Sequence, residues 1–165
     1  MSNLMGVYSE YLSKQLSFDQ LSSERKIQLE RISKLRGRPV MVYASDITPK
    51  NNCPVSIDHS DLLPFNDQVS VLGGDEIDII LQTPGGFAEV VEDLVKIVRS
   101  KFNRVGVIVP GAAYSAGTIF TMAADEILMC PASSLGPIDA QIISNGKRFS
   151  AHAFLEGLKK SVKNL

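Results

Sequence analysis

Two segments of small and glycine residues are the best candidates for chemistry in this chain. Residues 83–86 read Thr-Pro-Gly-Gly, and residues 111–117 read Gly-Ala-Ala-Tyr-Ser-Ala-Gly. The first offers a glycine turn with free backbone N–H groups, and the second offers the hydroxyl of Ser115 among residues too small to cover it. Acyl transfer needs a nucleophile and a preorganised oxyanion hole, and the two segments could supply both.

The position of Ser115 resembles that of an activated serine on a tight turn. Ala113-x-Ser115-x-Gly117 is close to the G-x-S-x-G pattern, in which a strand-to-helix turn presents the hydroxyl. The serine would lie at a helix N-terminus, where the dipole favours a developing negative charge. The N–H of Ala116 is the natural oxyanion donor, with a second from Gly85 or Gly86.

Each segment also has a purely structural interpretation. A serine before a helix is commonly its N-cap, and Pro-Gly-Gly is commonly only a turn. However, both segments follow strand-like runs, and ligands of parallel α/β sheets bind beyond the carboxyl ends of the strands. The pair in register at adjacent strand ends therefore favours an active site.

The general base is not identified by any motif. His59 lies in a long loop and His152 in a terminal helix, and neither belongs to a recognisable pattern. Lysine can serve as a base when burial and nearby positive charge lower its pKa. No spacing argument selects among the lysines that follow the serine, namely Lys147, Lys159, Lys160 and Lys163.

A turn-rich segment at residues 133–141 follows the last predicted strand and should line the same sheet edge. Asp139 and Gln141 could orient a base or the backbone of a substrate there. A structural turn is an equally good interpretation of the same residues.

Alternating strands and helices are predicted to position these segments. Such alternation implies an α/β fold with a parallel sheet covered on both sides by helices. A helix over residues 8–35, with a break and fresh N-cap near Ser22-Ser23, would precede the sheet. The strands are predicted at 40–44, 77–81, 105–109 and 126–130, and the other helices at 60–72, 87–101, 115–124 and 150–165, with a long loop at 45–60.

Composition narrows the class of protein. The 165 residues suit one ordinary domain, with 44% apolar and 21% charged residues and a net charge of −1. Because acidic and basic residues are nearly equal in number, the chain has no net positive charge that would attract nucleic acid. Cys53 and Cys130 have no metal-ligand spacing, so neither a metal nor a cofactor is predicted. No signal peptide or membrane-spanning run is recognisable, so we predict a soluble, cytoplasmic protein.

Between about residues 37 and 141 the chain resembles the serine dehydrogenase proteinase family, in the superfamily of Clp peptidases, signal peptide peptidase A and crotonases. Five ordered motifs carry the resemblance: Val42-Tyr43-Ala44-Ser45-Asp46, Thr83-Pro84-Gly85-Gly86, Ala113-Tyr114-Ser115-Ala116-Gly117, Ala123-Ala124-Asp125-Glu126 and Ser134-Leu135-Gly136-Pro137-Ile138-Asp139. The resemblance implies a Clp/crotonase-like ββα spiral over residues 37–165, a helical extension over 1–36, and a homo-oligomer.

The same resemblance implies residue roles. Ser115 matches the nucleophile, while Gly85, Gly86 and Ala116 match the oxyanion segment. Asp139 stands where Clp-type peptidases carry a histidine, so a Ser-His-Asp triad is not expected. Related Ser-Lys peptidases take their lysine from a helix beyond the serine, where Lys159 and Lys160 lie, and we take Lys160 as the candidate.

We therefore predict a serine peptidase acting on peptides or proteins, with Asp139 and Gln141 in substrate binding. A membrane-associated partner stays open, and the sequence does not identify one. Two alternatives stay open. One is an inactive or truncated assembly protein of the same fold, motivated by the missing histidine. The other is crotonase-like acyl-CoA chemistry, in which the oxyanion hole would hold a thioester enolate.

Overall fold

A four-stranded parallel sheet with strand order β1-β2-β3-β5 forms the centre of the fold. The computed structural model describes residues 6–47, 55–138, 141–144, 147–150 and 155. The helices are α1 (Val7–Ser13), α2 (Phe18–Arg36), α3 (Leu62–Val71), α4 (Ala88–Lys101) and α5 (Ala116–Met122), with a 3₁₀ turn at His59–Asp61. The strands are β1 (Val40–Ala44), β2 (Glu76–Gln82), β3 (Arg104–Val109), β4 (Ala112–Ala113), β5 (Glu126–Met129), β6 (Ser134–Leu135), β7 (Gln141–Ser144) and β8 (Lys147–Ser150).

One face of the sheet carries the hydrophobic core. The alternate residues of β2 and β3 that point to this face, such as Ile79 and Val107, are fully buried. They pack in one cluster with Phe65 of α3, Leu94 of α4 and Phe120 of α5. Burying an aliphatic side chain contributes about 1.5–3 kcal/mol, so this layer fixes the positions of α4 and α5 relative to the strand ends.

The N-terminal helices lie over the other face of the sheet without closing it, since Val42 on this face is 47% exposed. A cavity of about 530 Å³ lies between α1, α2 and the side chains of Val42 and Ile80. The predicted α/β architecture, with helices on both sides of a parallel sheet, is confirmed. The division into residues 1–36 and 37–165 stays a prediction, although α2 does end at Arg36.

The predicted helix break near Ser22-Ser23 is wrong. The helix breaks between α1 and α2 instead, and α2 begins with a capping box. The Ser17 hydroxyl accepts from the backbone N–H of Gln20, and the side-chain oxygen of Gln20 accepts from the backbone N–H of Ser17. Ser23 instead donates its hydroxyl to the Asp19 carbonyl inside the helix. A reciprocal cap satisfies two free N–H groups, which a lone serine does not.

Several short elements were not predicted from the sequence. β4 and β6 form a separate two-stranded parallel sheet, and β7 and β8 form an antiparallel hairpin. Ser150 ends β8 rather than beginning the terminal helix, and most of the predicted helix to residue 165 lies outside the described residues. Within the described ranges, none of the helices combines the length and hydropathy needed to cross a bilayer.

A charged network fastens the end of α2 to the sheet. Asp78 of β2 is fully buried, and its carboxylate accepts from Arg36 Nε at 2.6 Å and lies 2.8 Å from Arg38 Nε. Both guanidinium groups also donate to Glu126 of β5 at 2.7 Å. The guanidinium groups of Arg36 and then Arg38 lower the pKa of Glu126 to about 2, so this carboxylate is charged at neutral pH.

Replacing Asp78 by alanine is expected to lower the free energy of unfolding by about 3–5 kcal/mol, because Arg36 and the buried Arg38 would both lose their fully buried partner and keep only more exposed carboxylates such as Glu126. Denaturant unfolding monitored by circular dichroism measures the change. Glu92→Ala is the control, because it removes an ion pair with Lys96 that is exposed to solvent and contributes little to stability. Equal unfolding midpoints for the two variants would contradict the prediction.

Candidate active site

Ser115 lies on a strained turn between β4 and α5. Its backbone angles are φ 51° and ψ −116°, a conformation that L-residues rarely adopt. A sharp strand-to-helix turn of this kind raises the serine hydroxyl out of the backbone, as at a nucleophile elbow. Strained residues persist only where their surroundings hold them, which makes the strain at Ser115 a pointer to function.

The Ser115 hydroxyl is not used as a helix cap. The side chain makes no capping hydrogen bond, and the first turn of α5 is closed instead by the Thr118 N–H donating to the Ser115 carbonyl at 2.9 Å. Ser115 is partly exposed, and its hydroxyl has no partner among the described residues. Ser115 thus occupies the N-cap position of α5, but capping does not account for its hydroxyl.

The glycine segment lies directly against the serine turn. Thr83 pairs with the strand before the serine: its N–H donates to the Ala112 carbonyl at 3.0 Å, and its carbonyl accepts from Tyr114 N–H at 3.0 Å. Gly85 has a φ of +102°, and a Cβ added there would lie 2.7 Å from the Tyr114 oxygen and 2.8 Å from Ser115 Cβ. Only glycine fits this approach, so the two candidate segments form one site.

The two glycines differ in which N–H is available. The Gly85 N–H donates to the Thr83 hydroxyl at 3.1 Å and is thereby occupied. Ile57 takes the neighbouring groups, since its N–H donates to the Gly85 carbonyl at 2.8 Å and its carbonyl accepts from Phe87 N–H at 3.0 Å. Among the described residues, the Gly86 N–H has no partner.

The second available donor is the amide of Ala116. It begins α5 directly after Ser115, and within the described part of the chain it makes no hydrogen bond. A Cβ built on Gly85 would lie 3.4 Å from this nitrogen, so the glycine turn and the start of α5 are adjacent. Considering the described residues alone, the site thus offers one hydroxyl without a partner, which suits a nucleophile, and two N–H groups without a partner, which suit an oxyanion hole.

Ile57 supports the glycine turn through its backbone hydrogen bonds, a role that was not predicted from the sequence. It is buried and bridges to Gly86 in parallel. Asp61, just beyond it in the chain, accepts from the Tyr43 hydroxyl at 2.8 Å and from the Asp58 N–H at 3.0 Å. Burial raises the pKa of Tyr43, and the hydrogen bond to Asp61 raises it further. The phenol therefore stays protonated and donates to Asp61. No motif in the sequence indicated this support.

The other candidate residues are placed as follows. His59 is exposed on the 3₁₀ turn, with its ring centroid 6.0 Å from that of Phe87. Gln141 begins β7 and Lys147 begins β8. Asp139, His152, Lys159, Lys160 and Lys163 lie outside the described residues. In the ranges that the structure describes, no three His, Cys, Asp or Glu side chains are grouped to hold a metal ion.

A protein-family model matches this chain. The model of the ClpP-like SDH-type serine proteinases matches residues 67–164 of this chain, a region that includes Gly85, Gly86 and Ser115. The matched region is more than half of the chain. The resemblance predicted from the five sequence motifs is confirmed at the level of the family.

A curated relative and two solved structures are similar to the chain. Uncharacterized protein MJ1495 of Methanocaldococcus jannaschii is 39% identical over 66 residues, which span 40% of this chain but only 23% of that protein. A lysine-to-alanine mutant of the membrane-bound stomatin-specific protease 1510-N, in complex with a substrate peptide, has a TM-score of 0.53 at 24% identity. A serine-to-alanine mutant has a TM-score of 0.55 at 20% identity.

The two solved structures establish the fold. Each similarity covers 72% of this chain and 53% or 56% of the solved chain. The chain therefore spans little more than half the length of these proteins.

Proposed function

This chain belongs to the ClpP-like SDH-type serine proteinases, and from that premise we propose that it is a serine peptidase with Ser115 as its nucleophile. The proposal is carried by three groups that lie close together at the carboxyl ends of the strands. The strained Ser115 has a free hydroxyl, and the N–H groups of Gly86 and Ala116 have no partner in the described structure. A structural turn has no need of this combination.

The proposed reaction proceeds in two halves. Ser115 Oγ attacks the carbonyl carbon of a peptide bond while a base takes the hydroxyl proton, and the carbonyl oxygen becomes an oxyanion held by the Gly86 and Ala116 N–H groups. The protonated base then gives its proton to the leaving amine. Water attacks the acyl-enzyme in the same geometry, which releases the carboxylic acid and restores the serine.

We assign the base to Lys160, with Asp139 and Gln141 in substrate binding. A lysine can be neutral at working pH when burial lowers its pKa. The 1510-N protease is described with a substrate peptide bound to a lysine-to-alanine mutant, and peptide substrates are proposed for this chain by analogy. Assembly into a homo-oligomer and a cytoplasmic location are kept as predictions.

Replacing Lys160 by methionine is expected to lower the peptidase kcat by about 10²–10⁴-fold, the usual contribution of a general base. Lys159→Met is the matched control, because it removes an adjacent amine of the same length. Initial rates with a fluorogenic peptide library, measured from pH 6 to pH 10, compare the two. A larger loss for Lys159→Met would move the assignment to that residue.

Labelling with a fluorophosphonate probe tests the proposed function itself. We expect the probe to form a covalent adduct, and peptide mass mapping should place it on Ser115. A folded oligomer that neither labels nor cleaves casein would contradict the proposal and favour an assembly protein of the same fold. Calorimetric binding of coenzyme A without labelling would instead favour crotonase-like acyl-CoA chemistry.

A further inference from the structure

A short segment after β5 packs directly over the serine turn. We call residues 134–138 the strap. Its first two residues pair with β4, as Ala112 with Ser134 and Ala113 with Leu135. The Ser134 N–H donates to the Gly111 carbonyl at 2.8 Å, so the strap is attached to the strand that leads into Ser115.

The strap contacts Tyr114, the residue that precedes the nucleophile. A Cβ added to Gly136 would lie 2.6 Å from Tyr114 Cδ1 and 3.1 Å from Tyr114 Cα, so only a glycine allows this approach. The Tyr114 hydroxyl lies 3.1 Å from Ser134 Oγ, within hydrogen-bond distance. Tyr114 is therefore held by the strap along both its backbone and its side chain.

Thr118 of α5 fastens the strap from the other side. Its side-chain oxygen lies 2.8 Å from the Ala113 carbonyl and 2.9 Å from the Gly136 carbonyl, and it accepts from the Gly136 N–H at 3.1 Å. The hydroxyl has one proton, so it donates to one carbonyl at a time while it accepts from the amide. One buried hydroxyl thus joins β4, α5 and the strap.

We propose that Thr118 is a positioning residue that holds the strained Ser115 turn by fastening the strap to both of its flanks; this rests on the proposed function of Ser115. The turn is bounded by Ala113 before it and by α5 after it, and Thr118 connects to both. Without the hydroxyl, the strap keeps its packing on Tyr114 but loses its polar link to α5. The turn then relaxes away from its reactive geometry.

Two substitutions separate this role from general stability. Thr118→Val removes the hydroxyl and keeps the shape, whereas Thr118→Ser keeps the hydroxyl. Thr121→Val is the matched control in the same helix. Thr121 is fully buried, and its hydroxyl donates only to the Gly117 carbonyl of its own helix at 2.8 Å. Thr118→Val loses one donated and one accepted hydrogen bond, and Thr121→Val loses one donated hydrogen bond. Only the first variant touches the strap.

The readouts are the rate of fluorophosphonate labelling and the kcat and KM for a peptide. Thr118→Val is expected to label about 10- to 100-fold more slowly than Thr121→Val, with the loss in kcat rather than in KM, since small misplacements of reacting groups cost this much. Thr118→Ser should restore labelling to near the wild-type rate. Equal labelling of the two valine variants, or no rescue by serine, would overturn the positioning role.

Amide hydrogen exchange tests the strap without relying on activity. The Gly136 N–H should exchange faster in Thr118→Val than in Thr121→Val, because the variant loses the Thr118 acceptor and keeps only the longer hydrogen bond to the Ala113 carbonyl at 3.3 Å. If the wild-type chain never labels but this difference is seen, the proposed function fails and the fastening by Thr118 stands. If labelling occurs and Gly136 exchanges equally in both variants, the positioning role fails and the peptidase proposal stands.

Discussion

Replacing Ser115 by alanine is expected to abolish fluorophosphonate labelling and to lower the peptidase kcat by about 10⁶-fold, the loss typical when a serine nucleophile is removed. Whatever rate is left would come from substrate binding and the oxyanion hole alone. The physical reason is that no other described hydroxyl combines a strained turn with two free N–H groups beside it.

The fold should be unaffected by this change. Ser115 Oγ caps no helix, and the substitution leaves the same backbone strain in place, so the unfolding midpoint should match that of the wild type. Ser70→Ala is a suitable control, because it removes an exposed hydroxyl that donates to the Asp67 carbonyl far along the chain from the site. Equal labelling of Ser115→Ala and wild type would show that the nucleophile has been assigned wrongly.

Replacing Gly86 by alanine is expected to reduce kcat by about 10²–10³-fold, the cost of losing one oxyanion donor. The added Cβ would overlap the backbone nitrogen and carbonyl of Ile57, so the turn must shift and carry the Gly86 N–H away from the oxyanion. Steady-state kinetics should place the loss in kcat, since the donor acts on charge that develops in the transition state.

Gly73→Ala is the matched control for this substitution. A Cβ at Gly73 meets nothing within 4 Å, so the same chemical change there should leave the kinetics at the wild-type level. Circular dichroism should show folded protein for both variants. A Gly86→Ala protein with unchanged kcat would remove Gly86 from the oxyanion hole and leave Ala116 to act with another donor.

Much of the fold could be predicted from the sequence, because its signals are local. Runs such as Val40–Ala44 alternate with amphipathic segments such as Ala88–Lys101, and this alternation specifies a parallel sheet with covering helices. The elements that escaped prediction are short or depend on distant partners. β4 has two residues, and it becomes a strand only because Thr83 and Ser134 lie beside it.

The candidate site divides in the same way. The small residues around Ser115 and the glycine pair were recognisable because backbone turns restrict residue type locally. Which glycine keeps a free N–H was not, since that depends on Thr83 and Ile57, which occupy the neighbouring groups. The segment that forms the strap was recognisable as a turn at the same sheet edge, but its link to Thr118 was not, because Thr118 and Gly136 belong to no common sequence pattern.

The sequence by itself thus determined the family, the sheet and the two segments that could perform acyl transfer. The sheet and the two segments follow from residue type, spacing and hydrophobic periodicity along the chain, and the family follows from the resemblance of the five ordered motifs. Only the tertiary structure decided that Ser115 is strained rather than capping, that Gly86 rather than Gly85 has the available amide, and that Thr118 ties the turn together. The physical reason is that hydrogen bonds are saturable: whether a group is free depends on which partners the fold brings to it.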